Sequence, residues 1–215
     1  MRDLISAAIR DGHLAEDDQL LEDVLIDMFG ASRNAVRRAL TALADEGKMQ
    51  RKPRVGTFPT GRGVKLNIRD ITTSVGDLAL KIVDQGLVPT FGLLRDLLKT
   101  YDERVRMVEN VFQIADTTIG VRTAYYREIY VPTIAFRQVD MANVAETLFS
   151  VHLGSSVTEV GAGMSDQHTS RLLGIAAGSP VLTRQQLFLD DAGHPFQVVF
   201  DHYRADHVSF IDSHQ

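Results

Sequence analysis

Apolar residues in the first quarter of the chain recur at helical spacing and mark three short amphipathic helices. Leu4, Ile5, Ala8 and Ile9 share one face of a helix over about 2–11, and Leu21, Val24, Leu25 and Met28 make a stripe over about 18–29. Phe29-Gly30-Ala31 then supplies a turn, with Gly30 suited to a left-handed position. Ser32 is a good N-cap for a third helix whose Val36, Ala39, Leu40 and Leu43 point one way. Arg33, Asn34, Arg37 and Arg38 fall on the other side, free to face a groove. Asp45-Glu46-Gly47 ends that helix, with Gly47 as the left-handed residue after the cap. Beyond it Lys48, Arg51, Lys52 and Arg54 lie among strand-like residues that run into Gly56-Thr57-Phe58. A capped helix with its charge on one face, followed by a basic hairpin, is the winged helix-turn-helix arrangement.

The pattern changes after residue 58. Residues 59–69, with Pro59, two glycines and three basic side chains, read as an interdomain linker between a head at 1–60 and a second domain at 70–215. Val75, Leu78, Ala79, Ile82 and Val83 predict a helix over 74–86, broken by Pro89, and Phe91–Tyr101 a further one. Residues 107–135 are rich in Val, Ile, Phe, Tyr and Thr with a polar break at Asp116, which predicts a hairpin. Residues 139–152 read as helix, strands follow from about 157, and a short helix lies near 167–173. Val181–Leu189 and Pro195–Tyr203 form a second hairpin around a loop in which Gly193 suits a positive φ. The expected fold class is α+β, a helical head joined to an antiparallel α+β domain.

Charge sharpens this picture. The 215-residue chain is acidic overall, with 23 Lys+Arg against 28 Asp+Glu. Yet residues 30–69 hold ten basic side chains and only two acidic ones, whereas residues 1–29 hold two basic and eight acidic. Phosphate contacts require a concentrated cationic patch rather than a cationic protein, and this patch coincides with the helix and wing. The candidate DNA-binding residues are therefore Ser32, Arg33, Asn34, Arg37, Arg38, Arg54, Gly56 and Thr57.

Other chemistry is weakly supported. The absence of cysteine removes disulfides and thiolate sites. No apolar stretch approaches membrane-spanning length, and Asp3, Arg10 and Asp11 interrupt any signal-peptide core, so a soluble cytoplasmic protein is expected. Among the seven histidines, His202 and His207 are spaced to opposite strand faces, and His152 and His168 are separated by turns. No metal and no cofactor is expected. Ser155, Ser156 and Ser165 lack the glycine pattern of a nucleophile elbow, and Gly161-Ala162-Gly163 is not followed by the residues of a phosphate loop. No catalytic residue is assigned.

These residues resemble the GntR superfamily of bacterial transcription regulators. In the head the match runs through Ile9-Arg10-Asp11-Gly12, Phe29-Gly30-Ala31-Ser32-Arg33, Val36-Arg37-Arg38-Ala39-Leu40, Glu46-Gly47 and Arg54-Val55-Gly56-Thr57-Phe58. In the second domain Leu172-Leu173-Gly174-Ile175, Gly178-Ser179-Pro180-Val181-Leu182, Asp191-Ala192-Gly193-His194-Pro195 and Tyr203-Arg204-Ala205-Asp206 are similar to the ligand-sensing UTRA domain of the HutC-like branch, with its chorismate-lyase-like fold. The resemblance implies a homodimeric regulator, usually a repressor, on a palindromic operator, with a small metabolite changing DNA affinity. It implies DNA contacts by Arg33, Arg37, Gly56 and Arg54. Two departures stand out: the usual early arginine of the second helix is replaced around Leu21-Glu22-Asp23, so that Asp23 would repel DNA if it faced it, and Ala35 stands where a threonine is common.

For the effector, the resemblance places Tyr203 and Gln197 on the last long strand and Arg127 or Glu128 at the return-strand acid. The arginines of sugar-phosphate-binding relatives map near Asn110-Val111-Phe112-Gln113, none of them cationic, which argues against a sugar phosphate unless Arg122 or Arg127 substitutes. The expected effector set is Arg122, Tyr126, Arg127, Glu128, Gln197 and Tyr203, with a preference for an anionic or carboxylate-bearing metabolite. Strand alternation puts Arg122, Tyr126 and Glu128 on one face and Arg127 on the other. Two alternatives stay open: a constitutive DNA-binding regulator whose sensor is degenerate, and an enzyme of chorismate-lyase type.

Overall fold

The computed structural model describes residues 1–10, 13–15, 17–60, 64–67, 78–90, 92–127 and 152–212. The chain divides into two compact units, Met1–Lys65 with Asp206–Ser209 and Leu66–Ala205 with Phe210–Gln215.

The head contains α1 (Arg2–Arg10), α2 (Glu22–Phe29), α3 (Arg33–Asp45) and the hairpin β1 (Met49–Lys52) with β2 (Gly56–Pro59). Its core is Ile5, Ile9, Leu14, Leu20, Leu25, Val36, Ala39, Leu43 and Met49, with Leu40 half-buried against it. α3 begins as its sequence predicts, with Ser32 Oγ accepting from the Ala35 amide at 3.3 Å. It ends in a Schellman motif in which Lys48 N–H donates to Leu43 O and Gly47 N–H to Ala44 O. Gly30, Gly47 and Gly193, all expected in left-handed positions, have φ of 58, 72 and 82°.

The second helix departs from expectation. It starts at Glu22 rather than near 18, and only Leu25 of the expected stripe is buried; Leu21, Val24 and Met28 stay about half exposed. The cause is tertiary. Leu20 N–H donates to Thr57 O at 2.8 Å and Gln19 Nε2 to Val55 O at 2.7 Å, so the preceding segment is tied to the wing. Leu20 enters the core as a separate anchor, and α2 turns Leu25, Ile26 and Phe29 inward instead.

β3 (Val64–Asn67) occupies part of the stretch expected to be linker and pairs in a two-stranded sheet with β10 (Val208–Ile211). The second unit is built on a six-stranded sheet of order β4-β5-β6-β9-β8-β7, with β4 (Leu78–Pro89), β5 (Arg104–Ile114), β6 (Thr117–Arg127), β7 (Leu153–Met164), β8 (Pro180–Asp190) and β9 (Pro195–Arg204). Every neighbouring pair is antiparallel. Residues 78–86 are therefore strand, not helix. Leu78, Ala79 and Leu80 are all half-buried, so both faces of the strand carry apolar residues and the two-residue alternation is lost; a bulge between Ile82 and Asp84 adds Val83 to the helix-like spacing. β7 begins at Leu153, a few residues ahead of the expected strand start.

Helices α4 (Gly92–Leu98) and α5 (Gln167–Leu173) cover one face of the sheet. Leu94 and Leu98 pack with Val105 and Val198, and Leu173 with Val111, Val121 and Val181. Asp166 caps α5 by accepting from the Thr169 amide at 2.7 Å. Residues 139–151 of the helix expected over 139–152, and the end of the first hairpin, lie outside the described residues.

Candidate functional site

In the head, the cap at Ser32 and the buried stripe Val36, Ala39 and Leu43 fix the rotation of α3, which leaves Arg33, Asn34, Arg37 and Arg38 exposed on the opposite side. Two of these arginines are engaged. Arg37 Nε donates to both Glu22 oxygens at 2.9 Å, and Arg33 Nη2 donates to Asp23 Oδ1 at 2.6 Å. The hydrogen bond and charge of Glu22 raise Arg37 above the ordinary guanidinium value. Asp23 thus meets an arginine of the neighbouring helix. The signal for these partners was available in the sequence: acidic residues opening α2, which also suit a helix N-terminus, lie just before a helix whose first turns carry the basic residues.

At the wing, Arg54 sits at the hairpin tip with φ 64°, exposed, and Lys52 lies over the Phe58 ring at 4.8 Å. Thr57 contributes its carbonyl to the tie with Leu20. Gly56 has φ 142°, and a Cβ built there would run into the Gln19 side chain. The fold itself therefore requires glycine at this position, apart from any approach to DNA.

In the second domain, β6 and β9 pair with Gly120 opposite Tyr203, Arg122 opposite Asp201 and Tyr126 opposite Gln197. Alternation places all of these on the sheet face that α4 and α5 leave uncovered. β8 adds Arg184, the other cross-strand neighbour of Asp201. Arg122, Arg184, Asp201 and Tyr203 are each at most 1% exposed. Arg122 donates through Nε to Asp201 Oδ1 at 2.7 Å and through Nη2 to Oδ2 at 3.0 Å. Arg184 reaches Oδ2 through Nε at 2.9 Å and gives its Nη2 to the Tyr203 hydroxyl at 2.7 Å. That hydroxyl in turn donates to Asp201 at 3.0 Å. Phe112, Tyr203 and Phe210 surround the two guanidinium groups at 5.1–5.5 Å.

The electrostatics follow from this geometry. Burial alone pushes the Asp201 carboxyl up, but the charges and hydrogen bonds of Arg122 and Arg184 outweigh it and hold it below the carboxylate range. Burial likewise opposes the charge on Arg122, yet Asp201 raises it above its ordinary value. Tyr203 is pushed up by burial and by the neighbouring Asp201 charge. Tyr126 is raised by burial and accepts from Gln197 Nε2 at 3.0 Å.

Four members of the expected effector set, Arg122, Tyr126, Gln197 and Tyr203, thus share one buried face. Arg127 is on the other face, 3.9 Å from Asp102, because the one bulge of β6, at Ile119, lies ahead of Arg122 and the register then runs unbroken to Arg127. Glu128 lies outside the described residues. Arg184 and Asp201 were missed by sequence reasoning. The parity that joins Gln197 to Tyr203 also includes Asp201, and a carboxylate on an inward strand face demands a cation.

Among the described residues, no group of three or more His, Asp or Glu is arranged to hold a metal, and no helix is long and apolar enough to cross a membrane. Comparison with known proteins adds the family. Residues 1–58 match the bacterial regulatory proteins of the gntR family, and residues 93–209 match the UTRA domain. An HTH-type transcriptional regulator of Mycobacterium tuberculosis is 24% identical over 207 residues, covering 88% of this chain and 74% of that protein. The HTH-type transcriptional repressor NagR of Bacillus subtilis is 20% identical over 223 residues, covering 96% and 90%. Among solved structures, PhnF from Mycobacterium smegmatis aligns with a TM-score of 0.67 at 18% identity, covering 100% of this chain and 98% of that one. The possible regulator YydK from Bacillus subtilis aligns at 0.61 and 19%, covering 100% and 97%. The two matched segments fall on the arginine-bearing head and on the sheet with the buried cluster, and the matched families and the relatives are regulators rather than enzymes: the chain belongs to the UTRA-domain proteins and is a transcriptional regulator with a GntR DNA-binding domain and a UTRA ligand-binding domain.

Proposed function

We propose that the protein is a homodimeric repressor, acting in the cytoplasm on a palindromic operator, whose affinity changes when a small metabolite binds its UTRA domain. The functional division proposed is a DNA-binding head at 1–60, a connection at 61–69 that includes β3, and a sensor at 70–215. The observation that carries the reading is the exposed cationic face of α3, Arg33, Asn34, Arg37 and Arg38, set opposite a fully buried stripe and followed by a basic wing. Ser32, Arg54, Gly56 and Thr57 complete the DNA-binding surface, Ser32 by fixing the helix start and Gly56 by the close backbone approach it permits. The relative NagR is a transcriptional repressor, which supports the sign of regulation.

Dimerisation through the second domain follows from what one head can do. A single recognition helix reads one half-site, and operator affinities of regulators normally come from two. β7 offers a surface for it. The strand is twelve residues long, exposes Val157, Val160 and Met164, and pairs only with β8 among the described residues. Long exposed edges of this kind recruit partners. Light scattering on the full chain should give a dimer, and lysines at Val157 and Val160 should shift it toward monomer.

The effector site is assigned to the sheet face bearing Arg122, Tyr126, Gln197 and Tyr203, with Arg184 and Asp201 added. Arginine in this setting suits an anionic or carboxylate-bearing metabolite. One observation favours the second reading, a constitutive regulator with a silent sensor: these groups already satisfy one another, Arg122 with Asp201 and Gln197 with Tyr126. A thermal-shift screen of metabolites separates the two, since a ligand at 100 times its dissociation constant adds about 2.7 kcal/mol. With a hit in hand, Tyr203→Phe and Gln197→Ala should shrink the ligand-induced change in operator affinity and leave ligand-free DNA binding in place. A library that produces no stabilising hit and no change in operator affinity supports the silent sensor.

A further inference from the structure

We infer that Glu22 is a positioning residue for operator readout: it grips Arg37 by the inner edge of its guanidinium and presents the outer edge to a base. The inference rests on the proposal that Arg37 reads DNA. Both Glu22 oxygens accept from the same nitrogen, Nε, at 2.9 Å. Neither terminal nitrogen of Arg37 has a partner among the described residues, so the end-on fork that addresses guanine O6 and N7 stays available. The exposures agree with this division of labour. The Glu22 side chain is 32% exposed and that of Arg37 58%, so the carboxylate is the sheltered partner and the guanidinium the projecting one.

The neighbouring pair shows what a non-positioning contact looks like. Asp23, 77% exposed, takes Arg33 by Nη2, an outer nitrogen that end-on base contact needs, so that bond has to open before Arg33 can read. Glu22 imposes no such conflict. It removes rotamer freedom from a long side chain before DNA arrives, and a preorganised fork loses less on binding. Glu22 also places a negative charge close to the phosphates, which weakens sequence-independent attraction. The two effects together yield an unusual signature, lower general affinity with higher discrimination.

The test uses the full-length protein with an operator selected from random duplexes and an unrelated duplex of equal length at the same salt. Glu22→Ala should bind the unrelated duplex severalfold more tightly, while the operator-to-unrelated affinity ratio falls roughly tenfold, the scale of one lost bidentate base contact. Glu22→Gln, which keeps one acceptor for Nε but no charge, should recover part of the ratio at the raised unrelated affinity. In an Arg37→Ala background, Glu22→Ala should leave the ratio alone. Thermal melting checks folding, and if Glu22→Ala melts early the Gln variant carries the test. Parallel tightening on both duplexes with an unchanged ratio overturns the inference, as does an equal loss of ratio without Arg37. If Arg37→Ala itself leaves operator binding intact, the reading of Arg37 as a DNA contact falls first and takes the role of Glu22 with it.

Discussion

Arg37 with Glu22 in the head and Arg122 with Asp201 in the sensor are the same chemical pair at similar distances, 2.9 and 2.7 Å. Their surroundings differ completely. The head pair is largely open to solvent, whereas both sensor side chains are at most 1% exposed. Water screens the first, so its contribution to folding is small and the guanidinium can be handed to another acceptor. The second has given up its hydration, and breaking it leaves charge stranded in a dry interior. Distance alone therefore says little about what an ion pair does. Exposure decides whether it is a contact to be exchanged or a fixture of the fold.

Asp201→Ala is expected to have the largest effect. It removes the carboxylate between two buried guanidinium groups and should lower sensor stability by about 3–5 kcal/mol in denaturant unfolding, the usual cost of breaking one side of a buried pair. The matching change in the head, Glu22→Ala, should move the melting curve little. Equal losses from the two variants would erase the contrast. Acid provides a second route to the same carboxylate. Because Asp201 is held below the usual carboxylate range when folded, its stabilisation is complete above that range and is lost as pH falls through the lowered value. The wild-type sensor should thus unfold in acid, and Asp201→Asn should flatten that limb of a pH–stability profile.

Readout comes next in size. Arg37→Ala should weaken operator binding roughly ten- to a hundredfold in a mobility-shift titration if it addresses a base, with melting unchanged. A large loss of melting temperature with it would mean that the exposed pair is as structural as the buried one. The smallest effect belongs to the wing. Arg54→Ala should reduce the slope of log affinity against log salt by about one unit, the release of one counterion, with little change in discrimination.

What could be read from the sequence followed the range of the interactions. α3 was legible to its ends because its cap at Ser32, stripe and Gly47 stop are all local. The start of α2 was not, since the two hydrogen bonds that hold Gln19 and Leu20 to the wing come from residues more than thirty positions away. β4 reads as helix because apolar residues occupy both of its half-buried faces at Leu78, Ala79 and Leu80, which hides the alternation a strand usually shows. In the sensor, Gln197 and Tyr203 could be put on one face from their spacing. Arg184 joined them only through the register of β8 against β9, a quantity no single strand encodes. The remaining member, Glu128, lies outside the described residues.

The crowding of Gly56 by Gln19 bears on how genetic data for the wing would be read. A regulator lost by substitution at Gly56 would ordinarily be scored as a missing DNA contact. Here any larger residue must both adopt a backbone angle of 142° and displace the Gln19 side chain, whose amide tethers Val55 at the hairpin tip. The lesion thus reaches the joint between the second helix and the wing before an operator is present. A second-site change of Gln19 to a small residue would relieve the crowding but not the backbone strain. Partial suppression by Gln19→Ala would accordingly mark the defect as one of assembly rather than of recognition.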